Sequence, residues 1–135
     1  MVLGHLGLNV DDLALARRYY DRLMPEVGFE AFPLHDESDQ FAYRPAAGRR
    51  GTYLFFYAAA EPGGPAGYSH HRSGLQHLAF MVPTRAQVER VRDVAVELGS
   101  DIVHRPREFP EYPPPYYATF WHDPHGFLLE AVCHR

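Results

Sequence analysis

Two histidines and a glutamate stand out by type and position. His5 sits in Gly4-His5-Leu6-Gly7-Leu8-Asn9-Val10, and His77 in Gln76-His77-Leu78-Ala79-Phe80-Met81-Val82; the two runs align at an offset of 72 residues (77 − 5). Glu130 lies in the apolar stretch Phe127–His134. A carboxylate in mid-strand among apolar neighbours is costly unless it is paired or bound to a cation. Neutral imidazole and carboxylate together suit divalent Fe, Mn, Ni, Zn or Co, and three protein ligands leave positions open for water and substrate oxygens. His5, His77 and Glu130 are therefore the candidate ligands of one divalent metal.

Such ligands need rigid elements to aim them. Both histidine runs are short, rich in strand formers and followed by a helix signature. After the first, Asp11 or Asp12 can cap a helix whose stripe is Leu13, Ala16, Tyr20, Leu23 and Val27, closed by Gly28. After the second, Thr84 and Gln87 have capping-box spacing, Val88, Val91, Ala95 and Leu98 form the stripe, and Gly99 ends it. Strand patterns follow at about 30–34, 41–45 and 52–58 in the first half. In the second half they fall at about 101–104, 117–122 and 127–134. Asp123-Pro124-His125-Gly126 is a type I turn signal before the last of them. Each half reads βαβββ: module one at about 1–60, a linker at about 61–73, and module two at about 74–135. The expected fold is α+β, two such modules forming a curved mixed sheet around a metal cavity within a single domain.

Alternation along a strand assigns faces. His5 shares one with Leu3, Gly7 and Asn9, opposite Leu6, Leu8 and Val10; His77 shares one with Leu75, Ala79 and Met81, opposite Leu78, Phe80 and Val82. The uniformly apolar faces suit packing under helices, and the mixed histidine faces suit a cavity wall. Glu130 shares its face with Leu128 and Val132.

The 135-residue length fits one domain that buries roughly 68% of its unfolded-chain surface. A net charge of −4, with no large basic cluster, argues against nucleic acid as a partner. All 13 basic residues apart from histidine are arginine, and Cys133 is the lone cysteine, so no intramolecular disulfide forms. No signal-peptide pattern or bilayer-length apolar run is present. The expectation is a cytoplasmic protein acting on a small molecule, with no membrane association.

GHLGLNVDDLALARRYYDRL, QHLAFMV and YYATFWHDPHGFLLEAV together resemble the vicinal-oxygen-chelate superfamily, which includes glyoxalase I, fosfomycin-resistance thiol transferases, extradiol dioxygenases and bleomycin-binding proteins. The similarity runs through nearly the whole chain, and DPHGFLLE is its most specific segment. It implies metal ligands on the first strand of each module and the last strand of the second, positions held here by His5, His77 and Glu130. It also implies a homodimer, and a metal that acts as Lewis acid on a substrate with adjacent oxygens.

Departures from the family pattern narrow the reading. Glyoxalase I adds a carboxylate on the last strand of module one, but 52–60 holds no acid before Glu61. Extradiol enzymes add an acid–base tyrosine where this chain has Phe120-Trp121, with Tyr116 and Tyr117 displaced by a few residues. The three-ligand set most resembles the thiol-transferase branch, a lyase- or transferase-type chemistry. A ring-cleaving dioxygenase and a metal-free drug-binding protein are the alternatives. Tyr116, Tyr117 and His122 are the acid–base candidates. Asn9, Tyr57, Phe120 and Arg49 are the substrate-binding candidates, and Arg44, Arg50, Arg105 and Arg107 are further cations for an anionic group. Glu108–Pro115 (EFPEYPPP) suits either a lid or a plain connector.

Overall fold

Asp12 accepts a hydrogen bond from the Leu15 amide at 2.9 Å and starts helix α1, Leu13–Leu23. The helix buries Ala16, Tyr19, Tyr20 and Leu23. Pro25 has no N–H to continue the ladder, so the chain tightens into a 3-10 turn, Met24–Val27, and leaves it at Gly28 with φ 86°. The helix therefore ends one turn before the periodicity of its apolar residues does. Thr84 caps helix α2, Arg85–Glu97, by accepting from the Gln87 amide at 3.0 Å. Its buried stripe is Val88, Val91, Val94 and Ala95, with Leu98 only half-buried beyond its end.

The computed structural model describes residues 1–63 and 67–135. It divides into two compact units, Met1–Gly67 and Tyr68–Arg135. Of the expected linker at 61–73, residues 64–66 lie outside the described residues. In the first unit, strands β1 (His5–Val10), β2 (Phe29–Ala31), β3 (Gln40–Pro45) and β4 (Tyr53–Ala58) form one sheet ordered β1-β4-β3-β2. In the second, β5 (Leu78–Met81), β6 (Ile102–Glu108), β7 (Tyr117–His122) and β8 (Leu128–Cys133) are ordered β5-β8-β7-β6. In each sheet the first strand runs parallel to the last and the other pairs are antiparallel. The two halves thus share one βαβββ topology, the α+β two-module fold the sequence implies.

Burial follows strand parity. Leu8, Val10, Leu54 and Phe56 are buried, while His5, Gly7 and Asn9 are exposed. In the second unit Phe80, Leu129, Ala131, Thr119 and Trp121 occupy the side packed under α2. β6 is an edge strand carrying Pro106, where a missing N–H is tolerated, and its register with β7 shifts twice between Ile102 and Arg107. β6 runs on to Glu108, four residues past the expected end. The turn before β8 forms as expected: Asp123 Oδ1 accepts from the His125 and Phe127 amides at 2.8 and 2.9 Å, and Gly126 takes φ 88°.

Candidate functional site

Alternation along β8 sends Leu129 and Ala131 under α2 and turns Glu130 to the other face. There it lies opposite Phe120 on β7 and Ala79 on β5. The Glu130 side chain is 1% exposed. Its Oε1 accepts a hydrogen bond from the Tyr116 phenol. Its Oε2 has no hydrogen-bond donor among the described residues and faces His77 Nε2 at 3.1 Å.

His77 comes just before β5, which starts at Leu78, so its placement is not a matter of strand parity over Leu75–His77 as the sequence suggests. It stands two residues ahead of Ala79, the β5 partner of Glu130, and reaches the carboxylate from there. His77 Nδ1 is hydrogen-bonded to the side-chain oxygen of Gln76. An amide oxygen only accepts, so Nδ1 carries the proton; Nε2 then meets Glu130 as a lone pair in the neutral ring and as a donor in the imidazolium. Two lone-pair atoms 3.1 Å apart repel unless a proton or cation lies between them. Two ligands roughly 2.1 Å from one divalent cation and about 90° apart sit about 3 Å from each other. The spacing of the pair suits a shared first-row cation as well as a shared proton.

The surroundings are apolar. Phe109, Ala118, Phe120, Leu128 and Val132 form a buried cluster with Tyr116 packed against it, and the Phe120 and His77 ring centroids are 5.9 Å apart. Burial pushes the Tyr116 phenol well above its usual range, and the hydrogen bond and charge of Glu130 push it further. Of the Glu108–Pro115 segment, Glu108 is the last residue of β6 and the rest, with Tyr116, forms the β6–β7 connection. A hydrogen bond from the Phe109 amide to the Tyr116 carbonyl, at 3.0 Å, closes its base and delivers Tyr116 next to Glu130.

Tyr117, the other tyrosine candidate, is placed on the opposite face from Glu130. Adjacent strand residues cannot share a face, and its hydroxyl donates to Glu89 of α2. His122 is on the Glu130 side of β7 but pairs through Nδ1 with Asp101 Oδ2 at 2.8 Å, which holds the Asp101 carboxyl below its usual range. Its ring lies 5.3 Å from that of His70, which lies 3.9 Å from His71. These side chains line a pocket of about 430 Å³. Burial, and then the neighbouring imidazoles, hold His70 below its usual range. The adjacent pair His70-His71 was the sequence signal for this cluster, hidden by its place in the linker region.

In the first unit, His5 is exposed, with its ring edge-on to Phe55 at 5.4 Å. Asn9 pairs in register with Tyr57, whose ring crosses Gly7; a Cβ there would lie 3.1 Å from it. Arg49 is exposed in the β3–β4 turn, and Arg44 pairs with Glu30 at 2.9 Å. The register also identifies the first-unit counterpart of Glu130. Gly7 pairs with Phe55 as Ala79 pairs with Glu130, so the counterpart is Phe55, not an acid. Among the described residues, no three His, Cys, Asp or Glu side chains are gathered to hold a metal; the structure brings together His77 and Glu130.

Comparison with known proteins gives a consistent picture. Residues 2–131 match the model of the Glyoxalase/Bleomycin resistance protein/Dioxygenase superfamily. The uncharacterized protein YqjT of Bacillus subtilis (strain 168) is 27% identical over 135 residues, covering 96% of this chain and 97% of its own. A glyoxalase-type protein of Bacillus halodurans superposes with a TM-score of 0.80 at 29% identity, over 97% of this chain and 94% of that one. Lactoylglutathione lyase from Agrobacterium tumefaciens shares the fold at a TM-score of 0.65 and 18% identity, over 98% and 92% of the two chains.

Proposed function

The chain belongs to the glyoxalase/bleomycin resistance protein/dioxygenase superfamily, and from that premise we propose that it is a divalent-metal-dependent enzyme acting on a small substrate with adjacent oxygens. The observation that carries this reading is the buried Glu130 carboxylate, whose Oε2 has no hydrogen-bond donor among the described residues and lies 3.1 Å from His77 Nε2. In this reading His77, Glu130 and His5 are the ligands, and the bound metal supplies Lewis-acid polarisation of the substrate oxygens.

The chain's own residues supply the rest. Gln76 holds His77 in the tautomer that offers Nε2. Phe120 and the buried cluster around it keep water from the carboxylate and strengthen electrostatic interactions there. The chemistry proposed is of lyase/isomerase or thiol-transferase type; Phe55, where glyoxalase I has its extra carboxylate, argues against lactoylglutathione as the substrate. A homodimer is part of the proposal, because β1 and β5 stand at the ends of their sheets, and an edge strand is where another chain can pair.

Metal analysis of protein purified without chelator tests the reading. The expected result is about one Fe, Mn, Ni, Zn or Co per chain, lost in His77→Ala. Metal-free wild-type protein whose melting temperature ignores all five ions would overturn it and favour the metal-free binding protein instead.

A further inference from the structure

We infer that Tyr116 is a positioning residue for the metal site: by donating to Oε1 of Glu130, it leaves Oε2 as the one carboxylate oxygen available to a cation. The inference rests on the metal reading above and adds a residue which that reading does not assign.

A buried carboxylate offers two oxygens and about four lone-pair directions. Here the two oxygens have different surroundings. Oε1 accepts the phenolic hydrogen bond, and Oε2 faces His77 with no donor. A carboxylate held at one oxygen cannot swing freely, and its free oxygen is aimed. Tyr116 is itself held by neighbours. Its ring packs against Tyr112 at 4.8 Å, Phe109 at 6.0 Å and His134 at 5.1 Å, and its carbonyl accepts from the Phe109 amide. Gln76 does the same for the imidazole, through Nδ1. Each of the two ligands thus has one outer partner that fixes its orientation, the arrangement that tunes metal-binding histidines and carboxylates generally.

The geometry also separates positioning from acid–base work. The Tyr116 proton is already shared with Oε1, so the phenol reaches a substrate only by giving up Glu130. A phenol buried merely to satisfy its hydroxyl would accept any partner. Removing it would then change stability and leave the metal's electronic environment alone.

The test is titration of metal-free protein with cobalt(II) chloride, followed by calorimetry and by the visible absorption of the bound ion. Wild type is the reference, and Tyr112→Phe is the control that removes a neighbouring hydroxyl. Tyr116→Phe is expected to bind cobalt about 10- to 100-fold more weakly, with a shifted visible spectrum, while Tyr112→Phe matches wild type. Equal affinity and an identical spectrum in Tyr116→Phe would overturn the inference and leave the metal reading intact. Failure of wild type itself to bind cobalt would overturn both. Should Tyr116→Phe not fold, near-ultraviolet difference absorption of wild type answers the question. Cobalt binding without a tyrosinate band supports a phenol that keeps its proton on the Glu130 hydrogen bond. A tyrosinate band would mean that the phenol itself ligates the metal, which refutes the positioning role.

Discussion

Glu130→Gln separates a metal ligand from a structural carboxylate. In the metal-free protein a carboxylate at this position is fully buried and has one donor, Tyr116, for its two oxygens. Glutamine keeps the shape and still accepts from Tyr116. It places an amide N–H where Oε2 now lies 3.1 Å from His77 Nε2. The substitution removes a poorly compensated buried charge and adds a hydrogen bond, which together favour the metal-free fold by about 1–3 kcal/mol. For a chain of this length that is about 3–12 °C in melting temperature.

Metal reverses the comparison. A ligand at 100 times its dissociation constant stabilises the protein it binds by about 2.7 kcal/mol, or about 8–11 °C here. Differential scanning fluorimetry with and without Co, Ni, Mn, Fe or Zn reads both effects. The variant should melt above wild type without metal and show no metal-induced rise, while wild type climbs to meet or pass it. A variant that melts several degrees below wild type, with wild type indifferent to every ion, would refute the reasoning. Glu130 would then be a hydrogen-bonding strut and not a ligand.

Trp121→Ala, which empties a fully buried site on the α2 side of β7, should cost about 3–5 kcal/mol in urea unfolding; a loss under 1 kcal/mol would show that the packing is misread. The histidine cluster makes a pH prediction. His70 is held below its ordinary value, so between that value, about 6.5, and its lower folded value the unfolded chain binds more protons, and stability falls as pH falls through this window. The groups facing it are His71, His122 and His77, with Asp101 bound to His122 and contributing only in stronger acid. His70→Gln should flatten the decline in melting temperature between pH 7.5 and 5.5, and parallel curves for the two proteins would refute it.

Most of the fold is legible in the chain because its signals are local. Asp12 and Thr84 cap the helices, Gly28 follows the 3-10 turn that ends the first, and Asp123–Gly126 turns as its residue types require. Period-two alternation finds the buried face of β1 without any knowledge of partners, and on β8, buried on both sides, it still sorts Glu130 from Leu129 and Ala131. It fails where the strand itself is shorter than the pattern, as at His77, and where two tyrosines in succession compete. Tyr116 and Tyr117 look equivalent in the sequence, and only the start of β7 at Tyr117 decides which one meets Glu130 and which meets Glu89. Gln76 and the His70–His71–His122 group are less legible, since their contacts depend on loops, whose paths no periodicity encodes.

The repeat carries a consequence that neither half shows alone. Aligned by letters, the two histidine strands differ by 72 residues, which puts the counterpart of Glu130 at position 58. Aligned by strand register, the counterpart is Phe55, because the first unit reaches its parallel strand through a connection three residues shorter. The same topology therefore places a histidine against a carboxylate in one unit and against an aromatic ring in the other, where His5 meets Phe55 edge-on at 5.4 Å. An imidazole that faces a phenyl ring has no anionic partner from its own sheet at that position. The geometry within the first unit therefore gives His5 no support of the kind that Glu130 gives His77. His5→Ala tests its place in the proposed ligand set. It should weaken metal binding as His77→Ala does while leaving the Tyr116–Glu130 hydrogen bond, and with it the metal-free melting temperature, nearly unchanged. Metal affinity equal to wild type in His5→Ala would limit the site to the second unit.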